Sequence, residues 1–167
     1  SAQMALQRFQ HEISTDYLDI VFLHCLSDPQ WDTKLRPYMD VLSEAKERKK
    51  VRAVGVSCHS LKALDTAADS PWVDAVFARI NFKGAKMGGS PEQAIEVLKK
   101  LKKNGKAVIG MKIYGEGTLA GSKDKCMEFA QNLGLLDAMT IGAESTEQMD
   151  ETLKLLAKYP AKAVKTG

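Results

Sequence analysis

At 167 residues, with 44% hydrophobic and 27% charged side chains, the chain is sized for one soluble domain burying roughly two thirds of its unfolded surface. No apolar run approaches the ~20 residues of a membrane span. Net charge is only +3, and the densest basic run, Lys46 to Lys50, falls at an expected helix C-terminus without interleaved aromatics, which argues against a nucleic-acid partner. Cys25, Cys58 and Cys126 are odd in number and too widely spaced for paired metal-ligand motifs, so a reducing compartment, the cytoplasm by default, is expected. Ser1-Ala2-Gln3-Met4 has neither the basic nor the apolar region of a signal peptide.

Met4, Leu6, Phe9 and Ile13 recur near helical spacing, so the chain is expected to open in a helix over Ala2 to Ile13. Leu18 to His24 (LDIVFLH) reads as the first strand. Asp32 or Thr33 is the expected cap of the next helix, with Leu35, Met39, Leu42 and Ala45 as its buried stripe. Val51 to Ser57 is the second strand, Ser60 caps the helix after it, and Val73 to Arg79 is the third. Ser90 ahead of Pro91 starts a helix that Asn104-Gly105 stops, and Ala107 to Lys112 is the fourth strand. Ser122 or Lys123 opens a helix ending at Gly134, and Asp137 to Ile141 is the fifth strand. Ser145-Thr146-Glu147-Gln148 fits a capping box in which Gln148 reaches back to the Ser145 N–H, and Pro160 stops the last helix.

Strands alternating with amphipathic helices predict an α/β fold, a parallel sheet covered by helices. An open doubly wound sheet and a closed barrel both satisfy that order. No glycine-rich GxGxxG turn follows the first strand, which favours the (β/α)8 barrel. Such a barrel needs eight strands and about 250 residues. Five strands behind an opening helix therefore read as a single-domain partial barrel, with three βα units expected upstream.

Barrel active sites form at the C-terminal strand ends. There the sequence offers His24, then Ser57-Cys58-His59, Arg79-Ile80-Asn81, Lys112 with Gly115 and Gly117, and Gly142 to Ser145. His24 ends an apolar run where burial would favour the neutral imidazole. Lys112 is hard to account for as core. Cys58 reads as a small apolar filler rather than a nucleophile. His59 suits either a turn residue bonded to backbone or a site residue. Gly115 and Gly117 allow close backbone approach to a ligand, and the helix N-terminus at Ser145 is suited to phosphate.

These residues carry a resemblance. Thr15 to His24 (TDYLDIVFLH) resembles the fourth strand of aldo-keto reductases, which ends in the catalytic histidine. Val51 to Ser57 is similar to the family's next strand, and Gly105 to Lys112 and Ile141 to Glu151 continue the likeness in order. The closest likeness is to a divergent bacterial group with LHC, GVSCHS and GMK in place of the usual residues. The resemblance implies reduction of small carbonyl compounds by hydride transfer from a nicotinamide, NADP with NAD as the alternative. It implies His24 as the catalytic histidine that orients the carbonyl. It implies Ser57 at the carboxamide, Cys58 where asparagine is usual, and the loop with Lys112, Gly115 and Gly117 around the pyrophosphate. Gly142, Ser145, Gln148 and Glu151 would hold the adenosine end. Phe77 or Ala78 stands where glutamine is usual, Met111 where an aromatic ring stacks, Gln148 where arginine commonly meets a 2′-phosphate, and Thr152 where asparagine contacts adenine. The family's catalytic aspartate, tyrosine and lysine belong to earlier strands, so the isolated chain is expected to be inert.

Two other readings compete. One is a barrel hydrolase or lyase, with His24, His59 and Asp28 on a metal or Lys112 as a Schiff base. The other is a non-catalytic remnant that self-associates through open sheet edges.

Overall fold

The computed structural model describes residues 1–163. Five parallel strands, β1 (Leu18–Leu26), β2 (Val51–Cys58), β3 (Ala75–Arg79), β4 (Ala107–Met111) and β5 (Ala138–Met139), form one sheet in the order β1-β2-β3-β4-β5. The helices are α1 (Ala2–Glu12), α2 (Trp31–Lys34), α3 (Arg36–Glu47), α4 (Leu61–Asp69), α5 (Pro91–Lys103), α6 (Lys123–Asn132) and α7 (Thr146–Lys158). A doubly wound sheet reverses its strand order at a switch point. Strictly sequential order belongs to an arc of a barrel.

The period-two alternation of the strands separates two faces. Val56, Cys58, Val76, Ala78 and Val108 pack outward against Ala63, Leu64, Ala67, Leu98 and Leu101 of the helices in the main core. The inner face is layered by register. Phe22, Gly55, Ala75 and Ala107 share one layer, and Ser57, Phe77, Ile109 and Ala138 the next. Phe22 and Phe77, half-buried, meet at 4.6 Å between ring centroids.

The helix signals hold with two corrections. Neither Asp32 nor Thr33 caps a long helix; both lie inside the four-residue α2, and α3 restarts after Leu35. Pro37 is the cause, since it has no N–H to donate to the turn before it. At α7 the Ser145 hydroxyl accepts from the Gln148 N–H at 3.3 Å, but Gln148 Oε1 accepts from the Glu144 N–H at 2.9 Å, one residue earlier than the capping box predicts. The box expected of that sequence forms at α5 instead, between Ser90 and Gln93.

Strand boundaries shift where an aspartate intervenes. Val73, Asp74 and Asp137 fall outside β3 and β5. The Asp74 carboxylate accepts from the Val54 N–H at 2.8 Å and pairs with Lys46 at 2.5 Å. Asp137 does the same one pair of strands on, accepting from the Val108 N–H at 2.7 Å and pairing with Lys102 at 2.7 Å. The Lys102 side chain is only 8% exposed, so losing its partner would strand a cation. Asp137→Asn is therefore expected to cost about 2 kcal/mol in urea unfolding, below a fully buried pair because Asp137 itself is partly solvated. A loss under 0.5 kcal/mol would mean that Lys102 is held by the Lys106 carbonyl alone.

Candidate active site

The site begins with a fault in β1. Leu23 pairs with Val56 and Leu26 with Cys58, so His24 and Cys25 together oppose Ser57. That is a β-bulge. Cys25 takes the left-handed backbone conformation, φ +61°, which a non-glycine residue adopts only under constraint. Leu23 and Leu26 still reach the helix-side core. The two intervening side chains are delivered to the inner face. The hydropathy pattern ends this strand at His24, whereas the structure continues it two residues to Leu26. His24 is exposed rather than buried, because it stands at the rim of the sheet.

Three further groups converge there. The His59 ring, from the loop after β2, stands edge-on to His24 at 5.8 Å between centroids. The Cys25 thiol lies 3.6 Å from both of its ring nitrogens. Arg79, the last residue of β3, donates from Nη2 to His59 Nδ1 at 2.6 Å and from Nη1 to the Lys86 carbonyl at 2.7 Å. A guanidinium can only donate, so Nδ1 is the acceptor and the imidazole proton sits on Nε2. Burial, followed by the charges of Arg79, His24 and Lys112, holds His59 below the ordinary histidine range, so it is neutral at pH 7.

Beyond Met111 the inner face opens into a cleft of about 570 Å³, lined among others by Lys112, Gly117, Lys123, Gly142, Glu144 and Gln148. Its wall from β4 is strained: Lys112 and Glu116 both take left-handed φ, +60° and +57°, beside Gly115 and Gly117. Lys112 pairs with Glu116 at 3.0 Å, and the ammonium holds that carboxyl below its usual range. Lys123, on the cleft wall, pairs with Glu151 at 2.5 Å.

Lys112, Gly117, Gly142 and Gln148, expected at a cofactor, thus share one cleft. Gly117 and Gly142 each have open space where a Cβ would stand. Ser57 is buried on the inner face in the layer with Phe77, whereas Ala78 is on the helix side. Gly115 is buried, and a Cβ there would meet the Thr118 hydroxyl at 2.6 Å, so it shapes the loop rather than the cleft wall. Ser145 is spent on capping α7, and Glu151 on Lys123. Cys58 lies in the helix-side core, 2% exposed, where burial pushes its thiol up to about 12. It does not reach the cleft. Among the described residues no three His, Cys, Asp or Glu side chains are grouped to hold a metal, and the Lys112 ammonium is ion-paired. Asp28 is turned away from His24 and His59 toward Lys34 and the Gln30 N–H. Among the described residues no helix is long and apolar enough to cross a membrane.

The Aldo/keto reductase family matches residues 1–162. The chain belongs to that family. Its fold is shared with solved aldo-keto reductases. A Pseudomonas aeruginosa protein assigned to the family superposes with a TM-score of 0.77 at 13% identity, over 95% of this chain and 58% of its own. The holo form of an aldo-keto reductase from Bacillus halodurans gives 0.69 at 14%, over 98% and 62%. One from Klebsiella pneumoniae in complex with NADPH gives 0.58 at 18%, over 97% and 66%. The chain thus spans about 60% of the length of the first structures it matches. The curated proteins offer no match.

The residue whose part in the site was least legible is Arg79. Its sequence signal was a charged side chain at the end of an apolar strand, but its partner, His59, is 20 positions away in another loop.

Proposed function

We propose that this chain is the cofactor-holding portion of an NAD(P)H-dependent aldo/keto reductase, acting on small carbonyl compounds. The observation that carries this reading is one continuous inner surface. It runs from His24, delivered by the bulge opposite Ser57, past Phe77 and Met111 into the cleft with Lys112, Gly117, Gly142 and Gln148.

The donor set suits a dinucleotide. Lys112 and Lys123, each holding one carboxylate, carry ammonium groups that phosphate oxygens can share, the N-terminus of α7 adds its dipole, and Gly117 and Gly142 leave room for backbone approach. Met111, buried at the mouth, would give an apolar contact for a nicotinamide ring, and the Ser57 hydroxyl would meet its carboxamide. When bound, the nicotinamide supplies the hydride. His24 then orients the carbonyl oxygen from the inner face, and Phe22 and Phe77 keep the floor beneath it apolar.

The charges of the cleft favour neither NADP nor NAD. The cleft's cations are already paired, Lys112 with Glu116 and Lys123 with Glu151, and Gln148 Oε1 is committed to Glu144. The two reduced cofactors are accordingly expected to bind within about tenfold of each other, a gap of no more than 1.4 kcal/mol. Fluorescence titration of the purified chain tests this, with Lys112→Ala weakening both about tenfold through loss of a charge-assisted phosphate contact. Absence of binding would remove the reading. The same preparation is expected to show no carbonyl-dependent NADPH oxidation, because the family's catalytic aspartate, tyrosine and lysine have no counterpart at matching positions in these 167 residues. Measurable turnover would refute that.

A further inference from the structure

Arg79 is an anchor with donors to spare. A guanidinium carries five N–H groups. Within the described residues one goes to His59 Nδ1 and one to the Lys86 carbonyl, while Nε is buried with no partner. Three βα loops bring charge to the same rim: Arg79 and Lys86 from one, Lys112 and Glu116 from another, and neutral His59 from the third. Glu116 serves both Lys112, at 3.0 Å, and Lys86, at 4.0 Å. Three cations therefore face one carboxylate, and the rim carries an excess of two positive charges beside His24. His59 cannot offset that excess, because its Nδ1 lone pair already receives the guanidinium.

An uncompensated, partly buried cationic cluster on the substrate face calls for an anion. We propose that the carbonyl compound taken by this site carries a carboxylate or phosphate group, which Arg79 seats beside His59 and His24. The assignment rests on the reductase reading and adds a substrate class to it. A small 2-oxo acid is the simplest such compound: its charged end meets the guanidinium beside His59, and its ketone, on the adjacent carbon, is turned toward His24.

The chain has three histidines, His11, His24 and His59, so imidazole NMR resolves the site without turnover. Pyruvate is expected to shift the His59 and His24 resonances and to raise the His59 titration midpoint, while His11, on α1, stays unmoved. Methyl pyruvate, which keeps the ketone and loses the charge, is expected to produce neither effect. Arg79→Gln should weaken pyruvate about tenfold to a hundredfold, and Arg79→Lys should weaken it less, as befits charge-assisted hydrogen bonds. Equal response to acid and ester, full affinity in a folded Arg79→Gln, or no response to either would overturn the proposal. If Arg79→Gln does not fold, the comparison of acid with ester on the unaltered chain still decides. ADP is the control for the other source of anions. Should ADP move the same resonances and lose that effect in Arg79→Gln, the group seated there is a cofactor phosphate and the substrate assignment falls. Cofactor titration scores the reductase reading separately, since its failure with pyruvate still bound would leave an anion site on a protein that is not a reductase.

Discussion

Trp31→Ala is expected to cost about 4 kcal/mol, within the 3 to 5 typical of truncating a buried aromatic. Trp31 is 1% exposed, and its indole N–H donates to the Ala63 carbonyl at 3.1 Å. The single turn of α2 places it in the main core, which Leu26 at the end of β1 and Ala63 and Leu64 of α4 share. Alanine would open a cavity under the loop that follows the bulge and leave that carbonyl without its donor. Urea unfolding followed by far-UV circular dichroism measures the loss. The His24 and His59 resonances of the folded variant should broaden, because the end of β1 and the loop after β2 that carry them are braced by this side chain. A cost below 1.5 kcal/mol would show that Leu26 and the α4 alanines close the gap.

The second large effect is expected at Gly55. A Cβ there would stand 2.3 Å from the Ala75 carbonyl oxygen and 2.7 Å from the Phe22 ring. The first contact is with backbone of the adjoining strand, which cannot swing aside as a side-chain end can. Gly55→Val should therefore destabilise by about 3 kcal/mol or more, the upper range for overpacking. Phe22 would be pushed off Phe77, and with it the floor of the layer that holds Ser57. Gly117→Ala is the contrast: no atom lies within 4 Å of its Cβ position, but φ is +86°. There the cost should be only about 1 kcal/mol of backbone strain. If the two substitutions cost the same, steric closeness at Gly55 is not what the structure implies.

Much of this is legible in the sequence. The five strands and the helices between them follow from local apolar periodicity and from caps such as Ser60, Ser90 and Ser145, all of which accept the expected N–H. Such signals act within four residues, the range over which helix and strand periodicities are written. Departures arise where another partner outcompetes the expected one, one residue further back for Gln148 and on a neighbouring strand for the two aspartates. Gln148 turned to Glu144, and Asp74 and Asp137 left their strands to hold the neighbouring strand's N–H and a lysine.

By itself, then, the sequence determined an α/β chain of parallel strands, a histidine near the end of the first, and glycine-bearing loops after the fourth, because residue type and short spacing suffice for each. The tertiary structure alone decided that His24 and Cys25 face inward together, that Cys58 faces away, and that Arg79 meets His59. A bulge exists only relative to a partner strand's register, and a contact between two βα loops only once their strands are side by side.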